Sequence, residues 1–189
     1  NYQKPELLAS KPNEVWTWDI TKLKGPAKWT YFYLYVIIDI FSRFVVGWMV
    51  AHQEKSDLAV NFIRETCNRQ SIQRNQLTLH ADRGASMKSK SVAFLLSDLG
   101  VLKTHSRPHV SNDNPYSESH FKTLKYRPTF PKNFNSIEEA RCFCRTFFQW
   151  YNESHYHSGI SYLTPKIVHL DLTKEIIASR NKTLEIAYN

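Results

Sequence analysis

The segment VWTWDITKL, Val15 to Leu23, decides how the rest of the chain is read. Its side chains alternate. Trp16, Trp18 and Ile20 fall on one face of an extended strand, and Thr17, Asp19 and Thr21 on the other. An acid inside such a strand is costly to bury unless it is paired or binds a metal. Lys24-Gly25-Pro26-Ala27 then reads as a turn. Tyr31 to Ile40 is apolar on both faces, which suits a central strand. Asp39 to Arg43 turns the chain again, and Phe44 to Ala51 forms a third strand. The opening is therefore a three-stranded antiparallel meander.

Upstream, Pro5 and Pro12 forbid a helix and leave residues 1–12 as an extended lead-in. Downstream the period changes. Leu58, Phe62 and Ile63 place a helix over Ser56 to Arg69. Leu77, Leu79 and Ala81 alternate with Thr78, His80 and Asp82 in a short strand ending near Asp82. Val92, Leu95, Leu96 and Leu99 follow helical spacing, with Gly100 as the stop. Val101 to Ser106 is another short strand, and Arg107 to Asn114 a polar loop. Asn114 can cap a helix with Pro115 at its first position, running to Arg127 and ended by Pro128. Ser136 can cap a longer helix carrying Ile137, Ala140, Phe143, Phe147, Trp150 and Tyr151. After His155 only one weak helix is expected, near Leu172 to Ala178. This order gives an α/β fold with a mixed five-stranded sheet flanked by helices, and it resembles the ribonuclease-H-like fold. Residues 13–155 form the expected core, and 156–189 a tail packing on or extending from it.

Composition narrows the class. The 189 residues are 42% hydrophobic and 14% aromatic, enough to bury a sizeable core. With 5 Gly and 8 Pro, collagen-like and low-complexity classes are excluded. No apolar run approaches the length of a membrane span. Residues 1–10, NYQKPELLAS, show no signal-peptide pattern, and without an initiator Met a fragment or processed chain is expected. Lys and Arg number 25 against 17 Asp and Glu, a net charge of +8, with pI ≈ 9.4. That balance points to an anionic partner, nucleic acid first, although it also serves solubility. Three cysteines without a CxxC pair suggest free thiols in a reducing compartment. The histidines form no Cys/His zinc pattern.

Three acids stand at telling places: Asp19 in the first strand, Asp82 at the end of the fourth, and Glu118 in the first turn of the helix after Pro115. Between Asp82 and Glu118 lie 35 residues. In this D,D(35)E arrangement the chain resembles the transposase and retroviral-integrase superfamily, most closely the bacterial insertion-sequence transposases. Trp16-Thr17-Trp18-Asp19-Ile20-Thr21 is similar to its W-x-x-D-I-T. Ile38-Asp39-Ile40-Phe41-Ser42-Arg43 with Val46-Gly47-Trp48 is similar to I-D-x-F-S-R-x-x-V-G-W. His80-Ala81-Asp82-Arg83-Gly84 resembles H-S-D-R-G, with Ala for Ser. Asp113-Asn114-Pro115-Tyr116-Ser117-Glu118-Ser119 and Phe121 to Lys125 resemble the segment around the catalytic Glu. Tyr151-Asn152, His155, His157 and Thr164-Pro165 resemble the closing motif.

The resemblance implies a catalytic domain for metal-dependent DNA cleavage and strand transfer. It implies Asp19, Asp82 and Glu118 as catalytic acids and ligands of two Mg²⁺ or Mn²⁺ ions when DNA is bound. Asp19 would bridge both ions, and Asp82 and Glu118 would hold one each. Two such ions activate a nucleophile and stabilise a leaving oxygen, and Mg²⁺ takes hard oxygen ligands. Double-stranded DNA, both transposon ends and target, is the implied partner. Homo-oligomers on DNA, no membrane, and a bacterial cytoplasmic, nucleoid-associated location are implied too. The alternatives are a ribonuclease-H-like nuclease that cuts without joining, and an inactive DNA-binding relic. The chain begins just before the first strand, leaving no room for a helix-turn-helix reader of terminal repeats.

Lys122 and Lys125 share the helical face of Glu118. Either they meet DNA phosphates, as the resemblance implies, or Lys122 merely pairs with Glu118. Arg83, Lys88 and Arg107 extend the same basic patch. His80, on the face of Asp82, can orient that acid or be a satisfied polar residue. Asn114 is a possible supporting residue. Asp113 reads as turn and cap chemistry. Asp39 reads as a hairpin-turn acid within reach of Arg43. His155 and His157 read as packing or helix-end capping, and Trp16, Trp18 and Trp48 as core.

Overall fold

The first strand, β1 (Val15–Lys24), is the spine of the molecule, and everything that positions the acids follows from its pairing. The computed structural model describes residues 7–82, 84, 86–106 and 114–188. On one side β1 pairs antiparallel with β2 (Tyr31–Asp39), from Trp16↔Asp39 to Lys24↔Tyr31. β2 in turn pairs with β3 (Val45–Ala51), completing the expected meander. On its other side β1 pairs parallel with β4 (Thr78–Ala81), from Val15↔Thr78 to Trp18↔Ala81 only. β5 (Leu102–His105) adds in parallel to β4. The mixed sheet has the order β3-β2-β1-β4-β5, the arrangement expected of a ribonuclease-H-like fold.

Helices cover both faces, because both faces are apolar. Trp16 and Trp18 are buried with Tyr35 and Ile37 beneath α1 (Ser56–Arg69) and α2 (Lys90–Leu99). The opposite face buries Leu23, Leu34, Val36 and Ile38 against Leu124 of α3 (Pro115–Lys125) and Phe147 and Phe148 of α4 (Ile137–Glu153). Each fully buried aliphatic or aromatic side chain contributes about 1.5–3 kcal/mol. Trp48 lies on the α4 side, half-buried and stacked on Phe148 at 5.2 Å, so the three tryptophans divide between two cores. Gly47 lets α1 approach β3: an added Cβ would sit 2.6 Å from Thr66 Oγ1. Gly100 ends α2 in the left-handed region, φ 66°, as its stop signal predicts.

Helix ends show where expectation and structure part. Ser136 caps α4, its Oγ accepting from Glu139 N. Asn114 precedes α3, but its side chain makes no capping bond; Oδ1 instead accepts from Thr17 Oγ1 at 2.5 Å. A tertiary partner has replaced the local one. α3 stops at Lys125, two residues before Arg127, because the residue before a proline is steered away from helix. The tail is more ordered than its pattern suggests. It holds a 3-10 turn (Ser158–Ile160), α5 (Pro165–His169) and the 16-residue α6 (Thr173–Tyr188). α5 packs on α4, whereas α6 buries no residue, so its length could not be read from an apolar stripe. Cys67 and Cys144 are buried and Cys142 is exposed, all as free thiols. Burial pushes the Cys67 thiol up to about 11 and Cys144 to about 12. Among the described residues no helix is long and apolar enough to cross a membrane.

Candidate active site

Strand register brings the acids together. β1 and β4 part immediately after Trp18↔Ala81, so Asp19 and Asp82 are the next residues on two neighbouring parallel strands. β4 and β5 part at Ala81↔His105, which sets Ser106 next in the row. Crevices at the carboxyl ends of parallel strands are the usual ligand sites of such sheets.

α3 supplies the third acid. Thr17 Oγ1 lies 2.5 Å from Asn114 Oδ1 and 3.2 Å from Ser117 Oγ. Eight residues further along α3, Lys125 Nζ donates to Thr21 Oγ1 at 2.6 Å. Four residues of strand and eight of helix both advance about 12–13 Å. The helix therefore runs alongside β1 and holds Glu118 over the stretch containing Asp19.

The electrostatics record this proximity. The Asp19 carboxyl is pushed up to about 7, first by burial, then by the charges of Asp82, Glu118 and Glu54, against the lowering effect of Ile20 N–H. Asp19 Oδ1 accepts that N–H at 2.7 Å, and Oδ2 meets no donor among the described residues. Lys125 feels the same centre: burial lowers its ammonium and the Asp19 charge raises it. Glu54 is a fourth acid that spacing does not reveal; its Oε1 accepts from Ser86 Oγ at 3.0 Å. Among the described residues no three His, Cys, Asp or Glu side chains already stand at the mutual distances of a closed metal cage. Like charges repel, which opposes closure of the acids upon one another.

Asp82 is held from the side. Ser106 Oγ donates to its Oδ1 at 2.5 Å, His80 Nε2 lies 3.3 Å from the same Oγ, and His80 Nδ1 lies 3.0 Å from Thr104 Oγ1. His80 is fully buried. Its contact with the acid therefore runs through Ser106, a residue that sequence spacing gave no reason to single out. Lys122 is exposed on α3, and no ion pair joins it to Glu118 among the described residues. Lys88 is exposed in the turn before α2. Arg83, Arg107 and Asp113 lie outside the described residues.

Asp39 is a different kind of acid. It is fully buried, with Oδ1 accepting from Ser42 N and Oγ and Oδ2 from Asn13 N, each at 2.7 Å. The expected partner Arg43 is engaged elsewhere: its guanidinium donates to Ile40 O and lies 4.3 Å over the Tyr116 ring. The closing motif is also structural. Asn152 pairs with Val45 N and O at the edge of β3, at 2.9 and 3.1 Å. His155 stacks on Tyr151, and His157 Nδ1 accepts from Gly159 N. These are the packing and capping roles expected of the two histidines.

With a five-stranded mixed sheet and carboxylates gathered where its parallel strands end, the molecule is built like a polynucleotidyl-transferase core. The chain belongs to the integrase core domain family, which it matches over residues 9–111, with a second integrase core domain match over 99–165. It is 32% identical over 169 residues to the transposase for insertion sequence element IS904 of Lactococcus lactis subsp. lactis (strain IL1403), covering 86% of this chain and 66% of that protein. It is 30% identical over 167 residues to transposase InsF for insertion sequence IS3A of Escherichia coli (strain K12), covering 88% and 57%. The chain thus spans between 57% and 66% of these relatives' lengths. Among solved structures it resembles the HTLV-2 integrase catalytic core domain in complex with magnesium (trimeric form), with TM-score 0.62 and 17% identity over 86% of this chain and 99% of that one. It also resembles a chain of the simian T-cell lymphotropic virus intasome in complex with PP2A regulatory subunit B56 gamma, with TM-score 0.69 and 20% identity over 89% and 59%. The fold is ribonuclease-H-like.

Proposed function

We propose that the chain is a transposase catalytic domain that cuts DNA strands and joins them to a target, with Asp19, Asp82 and Glu118 as its catalytic acids. The observation that carries this reading is the register. It sets Asp19 beside Asp82 at the end of two parallel strands, with Glu118 close enough to raise the Asp19 carboxyl. The donor set is hard carboxylate oxygen, and the Asp19 carboxyl is raised by burial and by three other acids, which fits Mg²⁺ or Mn²⁺. Asp19 would bridge two ions, with Asp82 on one and Glu118 on the other. When bound, such ions supply nucleophile activation and stabilisation of the leaving oxygen. The protein's own part is to fix the acids. Ser106 holds Asp82 in one orientation, and Asn114 and Ser117 anchor the start of α3 through Thr17.

Lys122 and Lys125, with Lys88, Arg83 and Arg107, would take phosphates beside the acids. Double-stranded DNA, both transposon ends and target, is the substrate. The domain works as a homo-oligomer on DNA, at the nucleoid of a bacterial cytoplasm. Residues 13–155 form the catalytic unit, and 156–189 an appendage to it.

A strand-transfer assay with a labelled duplex in Mg²⁺ or Mn²⁺ tests the reading. Asp19→Asn should abolish nicking and joining, while Asp113→Asn keeps most of both. Equal loss in the two variants would mean that the acids are wrongly assigned. Cuts without joined products would favour a plain nuclease, and DNA binding alone a relic.

A further inference from the structure

We propose that the free edge of β1 and the β1–β2 hairpin form a second DNA-contact surface, a track that carries the duplex away from the acids. It rests on the catalytic reading above and extends it to a surface outside the acid cluster.

The track exists because β4 is short. Among the described residues β1 has a strand partner on that side only as far as Trp18, so from Asp19 to Leu23 its edge is open. At the usual strand rise this edge is about 13 Å long, the axial length of about four base pairs. Charge follows it. The stretches 20–38 and 119–137 contain seven Lys or Arg and no Asp or Glu. They are tied together where Phe134 N donates to Lys24 O at 2.9 Å. A groove of about 280 Å³ lies along the edge, lined by Lys22, Lys24, Lys125 and Lys132 with Phe130 and Pro131. Those four lysines are exposed. Lys125 also touches Thr21, so the groove opens directly from the acid cluster.

The far end is shaped as well. The hairpin tip is closed by Gly25 N–H to Thr30 O at 2.9 Å and by Thr30 Oγ1 to Ala27 O at 2.7 Å. Within it Trp29 takes φ 68°, a left-handed backbone unusual for so bulky a residue. Its indole is 77% exposed, with Lys28 Nζ 5.5 Å from the ring centroid. A strained, exposed tryptophan beside a lysine stabilises nothing in the core. It is placed to meet a partner with a negative backbone and apolar sugar edges between its phosphates, and duplex DNA has both. Lysines recognising phosphates read no sequence, so the track adds affinity without base preference.

The test is a set of anisotropy titrations of the full chain with labelled duplex at several salt concentrations. The triple variant Lys24→Ala, Lys28→Ala, Lys132→Ala should bind at least about tenfold more weakly, and its log–log salt slope should flatten by about two to three, near 0.9 for each lost phosphate contact. Trp29→Phe should remove most of the fluorescence change seen on adding DNA. Shortening the duplex to end at the nick should make wild type and triple variant bind alike. The three lysines are exposed, so melting temperature should not change, and a matching Lys→Gln triple variant should repeat the loss. If wild type nicks DNA but the triple variant keeps its affinity and slope, the track is wrong and the catalytic reading stands. If wild type neither binds nor nicks, both fall.

Discussion

Asp19 and Asp39 pair with neighbouring strands of one sheet, and both are withdrawn from water, yet they solve burial in opposite ways. Asp39 accepts three hydrogen bonds at 2.7 Å and locks the β2–β3 turn to Asn13. Beyond it, Ser42 Oγ lies 3.0 Å from His169 Nδ1, so the same acid helps to seat α5. Asp19 accepts one bond, from its neighbour's backbone, and faces three other carboxylates. A buried acid surrounded by donors is part of the scaffold. A buried acid surrounded by acids costs stability, and such a cost is the usual signature of a functional site.

The largest effect should come from Asp39. Replacing it with Ala leaves the Asn13 and Ser42 N–H groups without their acceptor, at about 1–3 kcal/mol each. Melting temperature should fall by about 2–4 °C per kcal/mol lost, with nicking per folded molecule retained. A thermally silent Asp39→Ala would remove the contrast between the two acids.

Asp19 should behave inversely. In the folded chain its carboxyl holds a proton up to about pH 7, against an ordinary value of 3.8. The folded state thus binds more protons across that window, and its stability falls as pH rises through it. The full penalty, at most about 4 kcal/mol at 1.36 kcal/mol per pH unit, applies above about pH 7. Denaturation from pH 4 to 8 should show this decline in wild type and a flatter profile in Asp19→Asn. Mg²⁺ or Mn²⁺ at pH 8 should raise the melting temperature of wild type far more than that of the variant. Parallel pH profiles would show that Asp19 is not carrying the charge strain.

The smallest effect concerns His120, buried on α3 with neither ring nitrogen hydrogen-bonded among the described residues. Burial, then the neighbouring His155 and His157, hold it down to about 3, so it stays neutral. It packs as an aromatic, stacked on Phe148 and edge-on to Tyr151 at 4.5 Å. His120→Phe should be neutral or stabilising by about 1 kcal/mol, since an unsatisfied polar group is replaced by a ring of similar shape. A marked loss in chemical denaturation would reveal a polar partner for His120.

Much of this was legible in the chain itself. The alternation of Val15 to Leu23 and the doubly apolar Tyr31 to Ile40 set the meander and the mixed sheet, because period is a local property of a sequence, and the candidate acids came from the family resemblance carried by the spacing of Asp82 and Glu118 and the motifs around them. Local pattern says less about ends and partners. Asn114 reads as a cap, but Thr17, 97 residues away in sequence, takes its side chain. The long α6 has no buried stripe to announce it. The placing of Ser106 against Asp82, the approach of Glu54, the unpartnered burial of His120 and the open edge of β1 were decided by tertiary structure. Each depends on which strand lies beside which and where their ladder stops, and that register is set by long-range packing on both faces of the sheet.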